Sequence, residues 1–127
     1  SYDNTIGLFE NEKALKKKIM RITTDSTPVE DPKNPDESYI VMLYKLIATA
    51  EEVDEMENAF RRGGQGYGDF KKQLLEKLLE HFAPMRVRRA ELQQNEAFVE
   101  DVLQKGAEKA RLIARETLDR VRKAVGL

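Results

Sequence analysis

Beyond Glu10 the apolar residues recur at intervals of three and four, and no stretch alternates with period two between turn signals. That pattern predicts helices and no strands. In "ENEKALKKKIMRI", residues 10–22, Ala14, Leu15, Lys18, Ile19 and Ile22 fall at helical spacing, with the lysines 16–18 flanking the apolar stripe. Residues 23–38, "TTDSTPVEDPKNPDES", carry three prolines among Ser, Thr, Asp and Asn and predict a loop. It is acidic and long for a compact domain, which points to a functional or partner-covered segment. Ser38 is placed to cap a helix over "YIVMLYKLIATA", apolar nearly all round and therefore expected at the centre of the core.

Thr49 followed by Glu52 reads as a capping box. It opens "AEEVDEMENAFRR", with acids early and arginines last, as the helix dipole favours. After a glycine-rich stretch, Phe70, Leu74, Leu75, Leu78, Leu79 and Phe82 lie on one face of a further helix, which Pro84 is expected to kink or split. Asn95 caps "EAFVEDVLQK", and Gly106 is expected to be a joint. In the closing segment Ala107, Ala110, Ala114, Leu118, Val121 and Val125 make a stripe of small residues. Arg111, Arg115 and Arg122 make a separate basic edge. The elements add up to an all-α bundle of five to seven helices.

A length of 127 residues suits one domain with a modest core. The net charge of −1 points to no polyanion, but its distribution is uneven. Residues 1–60 hold 7 Lys/Arg against 13 Asp/Glu, a net −6, and residues 61–127 hold 15 against 10, a net +5. There is no cysteine, which excludes disulfides, thiolate metal sites, iron–sulfur clusters and a cysteine nucleophile, and fits a reducing cytosol. A single histidine, His81, leaves no His-based metal site. No apolar run reaches membrane-spanning length, and no signal peptide is visible. A chain starting on Ser1 is expected to be processed, tagged or a fragment.

The stretch "RRGGQGYGDFKK", residues 61–72, has the glycine density of a phosphate loop. Its details argue otherwise: Gly68 is followed by Asp69 rather than Lys-Ser/Thr, the spacing is GxGxG, and a helix precedes it. The simpler reading is a glycine stop at Gly63 or Gly64 and a helix start behind Asp69. The carboxylate pairs Glu51/Glu52 and Glu100/Asp101 are adjacent, so neither forms a facing acid–base dyad. Arg86, Arg88, Arg89, Arg111, Arg115 and Arg122 suit phosphate contacts and base stacking. On chemistry alone, solvated helix faces with pairs such as Glu116–Arg120 account for them more simply.

Four segments in order resemble the C-terminal part of bacterial tryptophanyl-tRNA synthetases, class I aminoacyl-tRNA synthetases. "SYDNTI" is similar to the run that follows that family's KMSKS motif, with Ser1 as the motif's last residue. "KKKIMRITTDS" resembles its Lys-rich helix ending in Thr-Asp-Ser. "GYGDFKKQLLE" resembles its Gly-Tyr-Gly-x-Phe-Lys helix start, and "VLQKGAEKARLIARETLDRVRKAVGL" its closing helix.

The resemblance implies a division into residues 1–9, the tail of the KMSKS-type loop, and residues 10–127, a helical tRNA- and anticodon-binding domain. The catalytic Rossmann domain then lies outside this chain. It implies a cytoplasmic ligase whose full-length form, a homodimer, joins tryptophan to tRNA(Trp) with ATP and Mg²⁺. The 127-residue fragment itself is expected to be inactive, with no catalytic residue, metal or cofactor of its own. Ser1 is the ATP-site remnant. Arg86, Arg88, Arg89, Lys109, Arg111 and Arg115 are the tRNA-binding candidates. The rival readings are a free-standing helical interaction module and the C-terminal part of the related tyrosyl enzyme.

Overall fold

The computed structural model describes residues 5–126. They form five α-helices: α1 Glu12–Met20, α2 Tyr39–Tyr44, α3 Ala50–Arg62, α4 Tyr67–Gln93 and α5 Glu96–Val125. The chain divides into two compact units, Ser1–Arg86 and Val87–Leu127, with the boundary inside α4.

The first unit owns the core. Leu15 and Ile19 of α1, Ile40, Val41 and Tyr44 of α2, Met56 and Phe60 of α3, and Phe70, Leu74 and Leu78 of α4 form one buried cluster. These are the apolar positions the helical spacing selects, with Leu75, Leu79 and Phe82 packed against them half-buried. The Phe60 and Phe70 rings sit 4.0 Å apart at the centre. Each fully buried large side chain contributes about 1.5–3 kcal/mol relative to exposure.

Local chemistry sets the helix ends. The Asn11 side chain accepts from the Ala14 amide and starts α1. The Thr49–Glu52 capping box forms with both reciprocal bonds, and Asn95 accepts from the Phe98 amide to start α5. The expected long second helix is only six residues, followed by turns over 45–48. The box explains this: it holds Thr49 extended, so the chain must leave the helix before reaching it. Ser38 precedes α2 without a side-chain cap bond. Nor is α2 buried all round, because Tyr39 and Met42 are exposed, as is Leu46 in the turns that follow.

Two expected breaks are absent. Helix α4 continues through Pro84. The missing amide deprives the carbonyl of Glu80, an exposed residue that water can serve instead. Helix α5 continues through Gly106, where nothing surrounds the backbone to exploit a joint. It ends on Gly126, in the left-handed region, whose amide donates to the carbonyls of Arg122 and Lys123.

Within the second unit no residue of α5 is buried. The small-residue stripe, with Leu118, Val121 and Val125, is therefore on the surface rather than against a neighbouring helix.

Candidate nucleic-acid interface

The glycine stretch is the fulcrum of the first unit. Gly63 ends α3 at φ 74°, ψ −170°, a region open essentially to glycine alone. Backbone also approaches it closely: a Cβ there would collide with the Glu30 carbonyl oxygen. What approaches is the acidic loop over 23–38. The Gly64 amide donates to the Val29 carbonyl at 2.9 Å, and the Lys33 amide donates to the Phe60 carbonyl at 2.8 Å.

Lys33 then closes the loop on itself. Its side chain is buried, and its ammonium donates to the carbonyls of Pro28, Val29 and Asp31 at 2.9, 3.0 and 2.9 Å. The same ammonium lies 5.6 Å from the Tyr67 ring centroid, within cation–π range. The Tyr67 hydroxyl donates to Asp25 Oδ1 at 2.9 Å. Hydrogen bonds from Thr27 and from Tyr67 hold the Asp25 carboxyl below the usual range, while burial and the Asp25 charge push the Tyr67 phenol up. The amides of Gly63, Gly64 and Asp69 donate to the carbonyls of Phe60, Val29 and Gly66, so these backbone donors of the stretch are engaged within the protein. Asp69 lies in the first turn of α4, where it pairs with Lys72.

The structure sorts the tRNA-binding candidates by what holds them. Arg86 is half-buried, and its guanidinium donates to the carbonyls of Leu8 and Glu10 at 2.5 and 2.7 Å, tying the segment before α1 to α4. Arg88 pairs with Glu91 at 3.0 Å and stands 6.0 Å from the Phe98 ring centroid. Arg89 is also engaged. Lys109, Arg111 and Arg115 are exposed and enter no hydrogen bond or ion pair among the described residues. At 100° per residue Arg111 and Arg115 share an edge of α5 beside the apolar stripe, whereas Lys109 projects about 160° away from Arg111. The Ser1 assignment lies outside the described residues.

Two features depend on partners that the sequence does not reveal. Lys33 is one lysine in an acidic loop, and only the fold gathers three carbonyls around it. Helix α1 exposes Lys13, Lys16 and Lys17, which also enter no hydrogen bond or ion pair among the described residues. Their spacing was visible in sequence, but their freedom from partners was not. Among the described residues no group of three or more His, Asp or Glu side chains is placed to hold a metal, and no helix is long and apolar enough to cross a membrane.

No family model matches the chain. Across its full length it is 46% identical to a tryptophan–tRNA ligase of Rhodopirellula baltica and 44% identical to one of Fusobacterium nucleatum, covering 40% and 39% of those proteins. The chain therefore spans about two fifths of the length of these two relatives, and the part matched is C-terminal. It superposes with TM-score 0.89 and 38% identity on the Campylobacter jejuni tryptophanyl-tRNA synthetase, over 99% of this chain and 41% of that one. The same score holds for that enzyme's crystal structure complexed with ADP and tryptophan.

Proposed function

We propose that this chain is the C-terminal helical portion of a bacterial tryptophan–tRNA ligase, and that it supplies the ligase with a tRNA(Trp)-binding surface. The observation that carries this is the unbroken match to such ligases: 46% identity over all 127 residues, with the fold agreeing at TM-score 0.89. The relatives are tryptophan ligases, which favours that reading over the tyrosyl enzyme. The free cations of an otherwise weakly acidic chain favour it over a protein-interaction module. In the whole enzyme the adjoining catalytic domain would bind ATP, Mg²⁺ and tryptophan, and residues 1–9 would continue the ATP-site loop. The division at residue 10, the homodimer and the cytoplasmic location belong to the same proposal.

The chemistry available here is recognition. Arginines and lysines neutralise phosphates, and arginine planes stack on unpaired bases. The 127-residue chain is expected to bind a tRNA(Trp) transcript more tightly than a non-cognate tRNA at low salt, and to give no ATP–pyrophosphate exchange. Equal affinity for the two tRNAs would remove the specificity claim. Exchange activity would overturn the assignment of catalysis to the rest of the enzyme.

A further inference from the structure

We infer that the exposed face of α1 carrying Lys13, Lys16 and Lys17 is a contact surface for the phosphate backbone of tRNA. The inference rests on the proposed function and names a part of the chain, outside the arginine candidates, that meets the polyanion.

The three lysines fall within an arc of about 100° on the helix, Lys13 and Lys17 on the side away from Leu15 and Ile19, which are fully buried, and Lys16 at that arc's edge. The helix that presents them is fixed at both ends. The Asn11 cap starts it, and the Lys71 ammonium donates to the Met20 carbonyl at 3.2 Å where it stops. Lys18, off this face, is tied to Glu10 at 2.7 Å, and Arg86 grips the segment just before the helix. The backbone beneath the lysines is therefore preorganised, while the side chains stay free to reach successive phosphates.

Elsewhere in the first unit the exposed or half-buried cations are mostly matched. Lys45 and Arg61 share Glu57 at 2.6 and 2.8 Å, Lys72 pairs with Asp69, and Lys77 pairs with Glu52 at 2.6 Å. Arg62 stands without a partner among the described residues but alone, at the end of α3. On α1 three unmatched charges crowd together. Lys13 and Lys17, one turn apart, repel each other. The helix dipole favours Lys17 in the last turn but disfavours Lys13, which sits in the first. Glu12, one turn before Lys16, forms no ion pair with any of the three among the described residues. A cluster of like charges that no ion pair among the described residues neutralises is what a polyanion partner would offset. Lysine, a flexible point charge with no bidentate preference, suits a phosphate chain read without regard to sequence.

The test is filter binding of the full 127-residue chain to a tRNA(Trp) transcript across a potassium chloride series. For every phosphate that a lysine no longer neutralises, the plot of log K against log salt flattens by roughly 0.7–0.9. The K13Q/K16Q/K17Q variant is expected to flatten it by about two to three and to bind at least about tenfold more weakly at the lowest salt. The single variant K13Q should flatten it by about one, and K13R/K16R/K17R should keep the parental slope. Circular dichroism confirms that each variant is folded, glutamine being as good a helix former as lysine. A triple glutamine variant with the parental slope and affinity overturns the inference. If R111Q/R115Q then flattens the slope instead, the tRNA-binding function stands and α5 alone meets the phosphates. If the parent chain binds no tRNA(Trp) at low salt, both the function and the inference fail.

Discussion

Replacing Lys33 with methionine tests whether a buried ammonium holds the acidic loop on the glycine stretch. Methionine keeps most of the stem's volume, so packing is preserved while three charge-assisted donations to the Pro28, Val29 and Asp31 carbonyls disappear. A hydrogen bond to a charged group is worth about 1.5–3 kcal/mol net, and an orphaned carbonyl costs about 1–3 kcal/mol. These figures do not add, because the Val29 carbonyl keeps the Gly64 amide as a partner and the loop's outer side can rehydrate. Loss of the ammonium over Tyr67 removes a further ~0.5–1 kcal/mol. The sum comes to about 3 kcal/mol after those discounts. The assay is equilibrium urea unfolding followed by circular dichroism at neutral pH. The midpoint should drop by that free energy divided by the m-value, with m unchanged. A loss below about 1 kcal/mol would show that the carbonyls find water as readily as they find Lys33, and would refute the cage as the latch.

Gly63→Ala should destabilise by about 2–3 kcal/mol in urea, since it meets both a glycine-only conformation and the Glu30 carbonyl. Gly106→Ala, in open space inside α5, should instead raise helix content or stability by about 1 kcal/mol. Arg86→Ala should cost about 2–3 kcal/mol by orphaning the Leu8 and Glu10 carbonyls, whereas R111A/R115A should leave stability within ~0.5 kcal/mol; the reverse pattern would make Arg86 a free ligand-binding group. Acid titration should destabilise the fold as pH drops through the folded-state values of Asp25, Glu52 and Glu57, all held below the ordinary carboxylate range. Their contribution is complete above the unfolded values of about 4 and gone below the folded ones. Alkaline titration should destabilise it above about 10, where Tyr44 and Tyr67, raised in the fold, ionise more readily in the unfolded chain. A urea midpoint that rose on either side would contradict these signs.

Helix content, the core-facing residues and the caps at Thr49 and Asn95 depend on neighbours a turn or less away, which made most of them legible in the chain itself. So was the glycine stop at Gly63, but the next helix starts at Tyr67 and takes the expected cap, Asp69, into its first turn. The expected breaks at Pro84 and Gly106 were less secure, because a long helix tolerates one missing bond or one flexible residue when nothing pulls the chain aside.

The arginine candidates illustrate the divide. Arg86 and Arg111 are the same residue type, each on a long helix. One donates to carbonyls 76 and 78 residues away, and the other meets solvent. Composition and periodicity determined that the chain is helical, that it has no thiol chemistry and that its cations cluster. Only the tertiary structure decided which cations are consumed in holding it together, Lys33 and Arg86, and which are left over on α1 and α5. Whether a charge is free depends on acceptors that the fold brings from far along the chain, and sequence spacing does not encode that distance.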